Sequence, residues 1–375
     1  SKAFDTLNHK ILLNKLRYYG VNGLSLNLIE SYLSNRKQYV DFDGTNSDKL
    51  PITTGVPQGS ILGPLLFIIY INDISNASNI FNFTQYADDT TLSTNLDLAD
   101  NNFHTIINRE LDNINCWLQV NELSLNVEKS RFMVFHQTGK VITIPEIKIN
   151  NIEVKHVDNF NFLGITLDEK LTWRDHITKI STKILRVIGI LNKLKYYLPL
   201  NVKITIYNSL ILPHVNFGIL TWGFKYTQIE KLQKRAVRCI TCSKFNSHSE
   251  PLLKEMKLLK VKDIFTLNRL KFYYKYVHGH LPDRLLALPF TESNDTHNYN
   301  TRNYKKLFIN RVRCTFAQQS LSFDIPKLIN STDQIITEKI NTHSLQGFSK
   351  YTKSYFLNSY EYTCNVQNCY ICKED

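Results

Sequence analysis

The sequence predicts an α+β fold that gives way to an all-helical region, on three observations. Up to about residue 170, short segments with apolar residues at every second position are interspersed with segments of helical period, in no regular βαβ order. From Trp173 onward, long stretches carry apolar residues at helical spacing with cationic residues between them. Glycine and proline gather at a few places, above all Gly55 to Pro64, so the punctuation is local. A chain of 375 residues suits two or three packed units. The pattern divides it into 1–170, 171–280 and 281–375.

Hydrophobic residues at 43% and aromatics at 12% supply a buried core and exclude wholesale disorder. Lys and Arg number 45 against 33 Asp and Glu, a net charge of +12 that points to a polyanionic partner. The excess is local: residues 171–280 hold 20 Lys/Arg and 5 Asp/Glu, while the rest of the chain is nearly neutral. Seven scattered cysteines do not make a disulfide scaffold, which points to a reducing, intracellular compartment, cytoplasm or nucleus. The most apolar run, 65–71, is too short to span a bilayer, so no membrane partner is expected. Ser1-Lys2-Ala3-Phe4 has neither an apolar targeting core nor an initiator Met, so a start inside a longer reading frame is expected.

Taken in order, 7–19 reads as a helix with Leu12, Leu16 and Tyr19 on one face and Gly20 to end it. Ser25 is placed to cap a second helix through Leu33. Residues 38–42 alternate like a strand, and Asp43-Gly44-Thr45-Asn46 signals a turn. The stretch from Thr54 to Pro64 is a tightly specified loop, with Gly63-Pro64 suited to open a buried apolar helix over 65–73. Residues 96–122 form a long amphipathic helix pattern with Ile107, Leu111 and Ile114 on one face. Strands are expected at 131–135, 142–149, 152–157 and 162–167. Helices are expected at 177–198, 202–220, 227–240 and 261–278. Beyond Leu281 the pattern weakens into Asn- and Thr-rich sequence.

The stretch with the most chemistry is Gln85-Tyr86-Ala87-Asp88-Asp89-Thr90. A strand breaks at two adjacent carboxylates and resumes as Thr90-Thr91-Leu92-Ser93. Asp is common in turns for local hydrogen-bonding reasons. Two acids at a hairpin tip can also hold divalent metal ions against phosphate oxygens. On these residues alone the two readings are evenly matched, and the surrounding sequence separates them.

Together these segments resemble the reverse transcriptases of non-LTR retrotransposons, most like those of jockey-type mobile elements. Ser1-Lys2-Ala3-Phe4-Asp5-Thr6-Leu7-Asn8-His9 resembles the end of polymerase motif A. Gly55-Val56-Pro57-Gln58-Gly59-Ser60-Ile61-Leu62-Gly63-Pro64-Leu65-Leu66-Phe67 is similar to motif B, and Tyr86-Ala87-Asp88-Asp89 to motif C. Leu123-Ser124-Leu125-Asn126 with Lys129 resembles motif D, and Phe162-Leu163-Gly164-Ile165 resembles motif E, the primer grip. Leu232-Gln233-Lys234-Arg235-Ala236-Val237-Arg238 is similar to a segment that recurs after the palm. One such tetrapeptide would be weak; five motifs in the family's order over 1–170 are specific.

The resemblance implies a right-hand polymerase palm, an antiparallel sheet with packed helices that lacks most of the fingers. A basic helical thumb and a mostly helical C-terminal region would follow. It implies Asp88 and Asp89 as ligands of two Mg²⁺ ions and Lys129 as a cation at the leaving pyrophosphate. Phe4 would be the steric gate, with Gln58, Gly59, Tyr86 and Ala87 lining the dNTP. Phe162, Leu163 and Gly164 would hold the DNA primer. Lys179, Lys183, Arg186, Lys234, Arg235 and Arg238 would grip the RNA template–primer backbone, a salt-sensitive contact. The family's first motif A Asp would precede Ser1, as would the fingers and an endonuclease region. Little or no polymerase activity is therefore expected from these 375 residues, and a non-catalytic nucleic-acid-binding relic is the alternative. Cys364, Cys369 and Cys372 supply three thiolates and no nearby fourth ligand, so free thiols rather than a zinc site are expected.

Overall fold

The computed structural model describes residues 3–57, 59–95, 102–136, 139, 142–292, 306–314 and 316–360. The chain forms two compact units, 1–160 and 161–375.

In the first unit, α1 (His9–Tyr18) starts two residues later than its apolar pattern because Asn8 caps it. The Asn8 side-chain oxygen accepts from the amides of Lys10 and Ile11. Helix α2 (Gly23–Leu33) starts ahead of the expected Ser25 cap. Gly23 turns the chain with φ +59, and no side chain caps the helix. The strand expected over 38–42 is broken in two. β1 (Lys37–Gln38) pairs with β4 (Leu50–Pro51), and between them β2 (Asp41–Phe42) pairs with β3 (Thr45–Asn46). Asp43 and Gly44, both at positive φ, close the β2–β3 hairpin as the Asp-Gly signal predicts.

Helix α3 (Leu62–Ile71) buries Leu66, Phe67, Tyr70 and Ile71 but leaves Leu65 and Ile68 half exposed, so it is not buried all round as its composition suggests. Gly63 and Pro64 lie inside its first turn rather than ahead of it. The Ser60 hydroxyl organises that turn, donating to the Pro57 carbonyl at 2.7 Å and accepting from the Gly63 amide at 3.0 Å. Lys15 on α1 fastens the two helices: its ammonium donates to the Tyr70 carbonyl at 2.7 Å and to Asp73 at 2.5 Å. The same ammonium lies 4.6 Å from the Trp117 ring centroid, which brings in a further helix, 103–120. Burial holds the Lys15 ammonium below its usual pKa, against the pull of Asp73. Leu7, Leu12, Leu16, Leu26 and Leu33 complete this core.

β5 (Asn82–Tyr86) and β6 (Asp89–Ser93) follow, then α4 (Phe103–Val120), which buries Phe103, Ile107 and Leu111 with Ile149 and Val154. The expected start of α4 at 96 lies outside the described residues. The later strands are short: β7 (Arg131–Phe132), β8 (Lys148–Ile149), β9 (Ile152–Glu153) and β10 (Lys155–His156). Among the described residues the strands pair two by two, β7 with β10 in parallel, rather than in one continuous ladder.

The chain passes into the second unit within β11 (Asn159–Phe162), which pairs with β12 (Ile165–Asp168). The expected single strand over 162–167 is thus a hairpin, because Leu163 (φ +46) and Gly164 (φ +87) form its two-residue turn. Helix α5 (Arg174–Leu194) is next. The expected long helix over 202–220 is broken into α6 (Leu200–Ile206), a π-helical turn (Tyr207–Ile211), α7 (Leu212–Asn216) and α8 (Ile219–Trp222). Two residues explain the breaks. Pro213 has no amide to continue the ladder, and the Leu212 amide reaches back to the Tyr207 carbonyl. Gly218 turns at φ +61, where a β-carbon would lie 2.3 Å from the Ile165 side chain.

Helix α9 (Thr227–Ile240) matches its expected span, and α10 (Ser249–Glu255), α11 (Val261–Val277) and α12 (Asp283–Leu286) follow. Three further helices, Leu321–Ser331, Gln334–Thr342 and Leu345–Asn358, pack on α11 or on one another. The main core of this unit takes Ile184, Ile188 and Leu191 from α5, Ile229, Ala236, Val237 and Ile240 from α9, and Trp222. Buried Gln233 is fully paired in it. Its amide nitrogen donates to the Tyr207 hydroxyl at 2.7 Å and the Leu259 carbonyl at 2.8 Å, and its oxygen accepts from the Val261 amide at 3.0 Å. Burial raises the Tyr207 phenol to about 12. Arg269 and Asp324 form a largely buried ion pair, 2.8 and 2.9 Å to the two carboxylate oxygens. Among the described residues, no helix is long and apolar enough to cross a membrane.

Candidate active site

The site begins where the first residues of the chain meet the glycine-rich loop. Gly55 donates its amide to the Leu7 carbonyl at 2.7 Å, and Val56 donates to the Phe4 carbonyl at 2.9 Å. The Thr54 hydroxyl reaches the Asp5 carbonyl at 3.2 Å. His9 Nε2 lies 2.7 Å from the Gly55 carbonyl, and since a carbonyl only accepts, this nitrogen carries the proton. Gly55 is required twice. It adopts φ +85, and a β-carbon would stand 2.7 Å from the Asp5 α-carbon and carbonyl oxygen. The segments resembling motif A and motif B are therefore one interlocked piece.

The Phe4 ring, the expected gate, stacks on Phe67 of α3 with centroids 4.5 Å apart. Gly59 is exposed, at φ +78 with open space where a side chain would stand. Gln58 lies outside the described residues.

The two carboxylates stand on the β5–β6 hairpin. Tyr86 pairs with Asp89 and Gln85 with Thr90, so Ala87 and Asp88 form a two-residue loop. Ala87 takes φ +50 to make the turn. Asp88 and Asp89 are both exposed at the tip. Period two decides the rest of the hairpin: Phe83 and Leu92 face inward, and Tyr86 is 65% exposed. The Gln85 amide donates to the Ile71 carbonyl at 3.3 Å, which fixes the hairpin to the end of α3. Two adjacent carboxylates offer hard, anionic oxygen donors of the kind Mg²⁺ takes. Their type and exposure fit such an ion.

Lys129 ends a single 3₁₀ turn, Val127–Lys129. Its amide is held by the Asn126 side chain at 3.0 Å, and its own side chain is exposed. The Asn of Leu123-Ser124-Leu125-Asn126 is therefore a turn-former that presents the lysine.

In the second unit, Phe162 is half-buried, and Leu163 and Gly164 form the exposed turn of the β11–β12 hairpin. A β-carbon on Gly164 would lie 3.2 Å from the Phe217 ring. Lys179, Lys183 and Arg186 recur at helical spacing on α5 and are all exposed, forming one stripe. Lys234, Arg235 and Arg238 are on α9 and do not extend it. Lys234 is tied to Glu230 at 2.9 Å, and Arg238 donates from Nε to the Ser247 carbonyl at 2.7 Å. Arg235 and Arg238 instead line a groove between α5 and α9, with Lys195 and Phe245. Phe245 has a sequence signal only in hindsight, as a lone aromatic between Lys244 and Asn246. The tail cysteines Cys364, Cys369 and Cys372 lie outside the described residues.

The sequence is also similar to known proteins. The family described as reverse transcriptase (RNA-dependent DNA polymerase) matches residues 1–167. The chain is 30% identical over 284 residues to the RNA-directed DNA polymerase from mobile element jockey of Drosophila melanogaster, covering 70% of this chain and 30% of that protein. It is 27% identical over 288 residues to the probable RNA-directed DNA polymerase from transposon X-element of the same species, with the same shares. The Pol polyprotein from the type-1 retrotransposable element R1 of Bradysia coprophila is 24% identical over 253 residues, 65% of this chain and 25% of that one. The chain thus spans about 30% of the length of the jockey and X-element relatives. Residues 1–167 are therefore a reverse transcriptase domain, and the chain is similar to the RNA-directed DNA polymerases of the jockey and X-element mobile elements.

Proposed function

We propose that this chain supplies the palm and nucleic-acid-gripping parts of an enzyme that copies RNA into DNA by nucleotidyl transfer. The observation that carries the reading is the β5–β6 hairpin, which presents Asp88 and Asp89 together at an exposed two-residue tip. When bound there, Mg²⁺ would lower the pKa of the primer 3′-hydroxyl and offset charge on the triphosphate during in-line displacement.

The chain's own residues do the positioning. Phe4, braced by Phe67, forms a rigid wall where a ribose 2′-hydroxyl would have to fit. Gly59, Tyr86 and Ala87 line the dNTP, with Gly59 leaving room for close backbone approach. Lys129 is exposed and free to swing toward the leaving pyrophosphate. Phe162, Leu163 and Gly164 hold the primer end. The stripe Lys179–Lys183–Arg186 holds template–primer phosphates without reading sequence.

Asp88 and Asp89 supply two carboxylates, and waters and substrate phosphate oxygens would complete the Mg²⁺ shell. The 375-residue chain is expected to bind an RNA–DNA template–primer. Binding is tested by fluorescence anisotropy across a salt series. The triple variant Lys179→Gln, Lys183→Gln, Arg186→Gln should reduce the log–log salt slope by about 2.7. Absence of template–primer binding would remove the polymerase reading.

A further inference from the structure

We infer that the groove between α5 and α9 is a separate binding site for unpaired nucleic acid, with a phosphate on its cations and a base on Phe245. The inference rests on reading the second unit as nucleic-acid-binding, and it divides that unit's two basic surfaces between two forms of the substrate. The groove has a volume of about 320 Å³ and is lined by Lys195, Arg235 and Arg238, with Gly189 and Asn192 on the α5 side. Among the described residues, no carboxylate lines it. At 100° per residue, positions 188, 192 and 195 lie roughly half a turn round α5 from the Lys179–Lys183–Arg186 stripe. One straight duplex backbone lying along that stripe does not also fill the groove.

The aromatic content points to bases rather than to phosphate alone. Phe245 lines the groove and is 85% exposed, so its ring is accessible to a ligand. The loop that carries it is fixed by hydrogen bonds. Arg238 Nε donates to the Ser247 carbonyl at 2.7 Å, the Ser243 amide donates to the Arg238 carbonyl at 3.0 Å, and the Thr241 and Ser243 hydroxyls are 2.7 Å apart. The backbone on either side of Phe245 is thus tied down. Beside Lys195, Tyr196 and Tyr197 are 78% and 83% exposed, and the Lys195 ammonium is 4.8 Å from the Tyr196 centroid. Cations interleaved with exposed aromatic faces are the usual means of holding single strands: phosphates pair with the cations and unstacked bases lie on the rings. A base-paired stack offers those rings nothing to lie on.

The test uses the purified full chain and fluorescein-labelled probes at one salt concentration: a short oligo(U), the matching oligo(dT), and a blunt RNA–DNA duplex. Phe245→Ala removes only an exposed ring, so the fold is retained, and a circular dichroism melt checks this. The variant should weaken oligo(U) or oligo(dT) binding about tenfold and leave duplex binding within about twofold. Arg235→Gln should weaken single-strand binding in the same selective way. The duplex-binding variants at Lys179, Lys183 and Arg186 should do the reverse, so failure of the parent reading is distinguishable. Equal loss on single strand and duplex, or no loss on either, overturns the inference. So does a loss confined to binding of anionic phosphatidylserine vesicles, which would assign the exposed rings to a membrane surface.

Discussion

Gly55 and Asp5 are in backbone contact: a β-carbon on Gly55 would stand 2.7 Å from the Asp5 α-carbon and from its carbonyl oxygen. The contact joins the start of the chain to the loop that opens α3, and two further hydrogen bonds close it, from Gly55 to Leu7 and from Val56 to Phe4. Gly55→Ala should therefore cost about 3 kcal/mol or more, since it adds a backbone clash to a left-handed φ. Gly59 has a similar positive φ with open space around it, so Gly59→Ala should cost only about 1 kcal/mol. Urea unfolding of the two variants side by side checks the contrast. Equal small losses would show that the Asp5 backbone can move aside.

Gln233 explains why the segment 232–238 keeps a polar residue in its buried face. Its side chain serves the π-helical turn, the residue before Lys260 and the first residue of α11 at once. Gln233→Leu keeps the volume and removes all three bonds, leaving the Leu259 carbonyl and Val261 amide buried and unpaired. A loss of about 3 kcal/mol is expected. A denaturation midpoint unchanged from wild type would mean that water or a rearranged backbone takes over these groups.

His176 gives the second unit an acid-sensitive point. The Thr166 amide donates to its Nδ1 at 3.2 Å, which requires a neutral ring, and its buried Nε2 has no partner among the described residues. Burial first, then Lys179 and Lys183, lower its pKa from 6.5 to about 4. Below the unfolded value the unfolded chain takes up a proton that the folded chain refuses. Stability should thus be unaffected above about pH 6.5 and fall toward pH 4, by at most about 1.4 kcal/mol per pH unit. Comparing this slope with that of His176→Gln isolates the residue. Identical slopes in the two proteins would assign acid sensitivity elsewhere.

Much of this was legible in the sequence wherever a local rule acts alone. The Asp43-Gly44 turn, the α9 span and the acid hairpin follow from turn chemistry and periodicity. Breaks inside apolar runs were not legible, because they depend on single backbone groups. Pro213 and Gly218 split one periodic stretch into several helices, and Leu163 accepts a left-handed φ that its type disfavours. The one-sided burial of α3 was also hidden, since a uniformly apolar helix does not say which face meets α1. Of the candidate site, the residue types were readable and their grouping was not. Nothing in the spacing separates the α5 stripe from the α5–α9 groove, which takes the packing of two helices to define.

The proposed cation site of this reverse transcriptase domain is the Asp88–Asp89 pair. It is tested most directly by titrating Mn²⁺, a paramagnetic stand-in for Mg²⁺, into isotope-labelled full chain and following amide line broadening by NMR. Selective broadening at residues 86–90, abolished in Asp88→Asn/Asp89→Asn and reversed by excess Mg²⁺, is the expected result. Broadening that spares the hairpin, or that persists unchanged in the double variant, would contradict it.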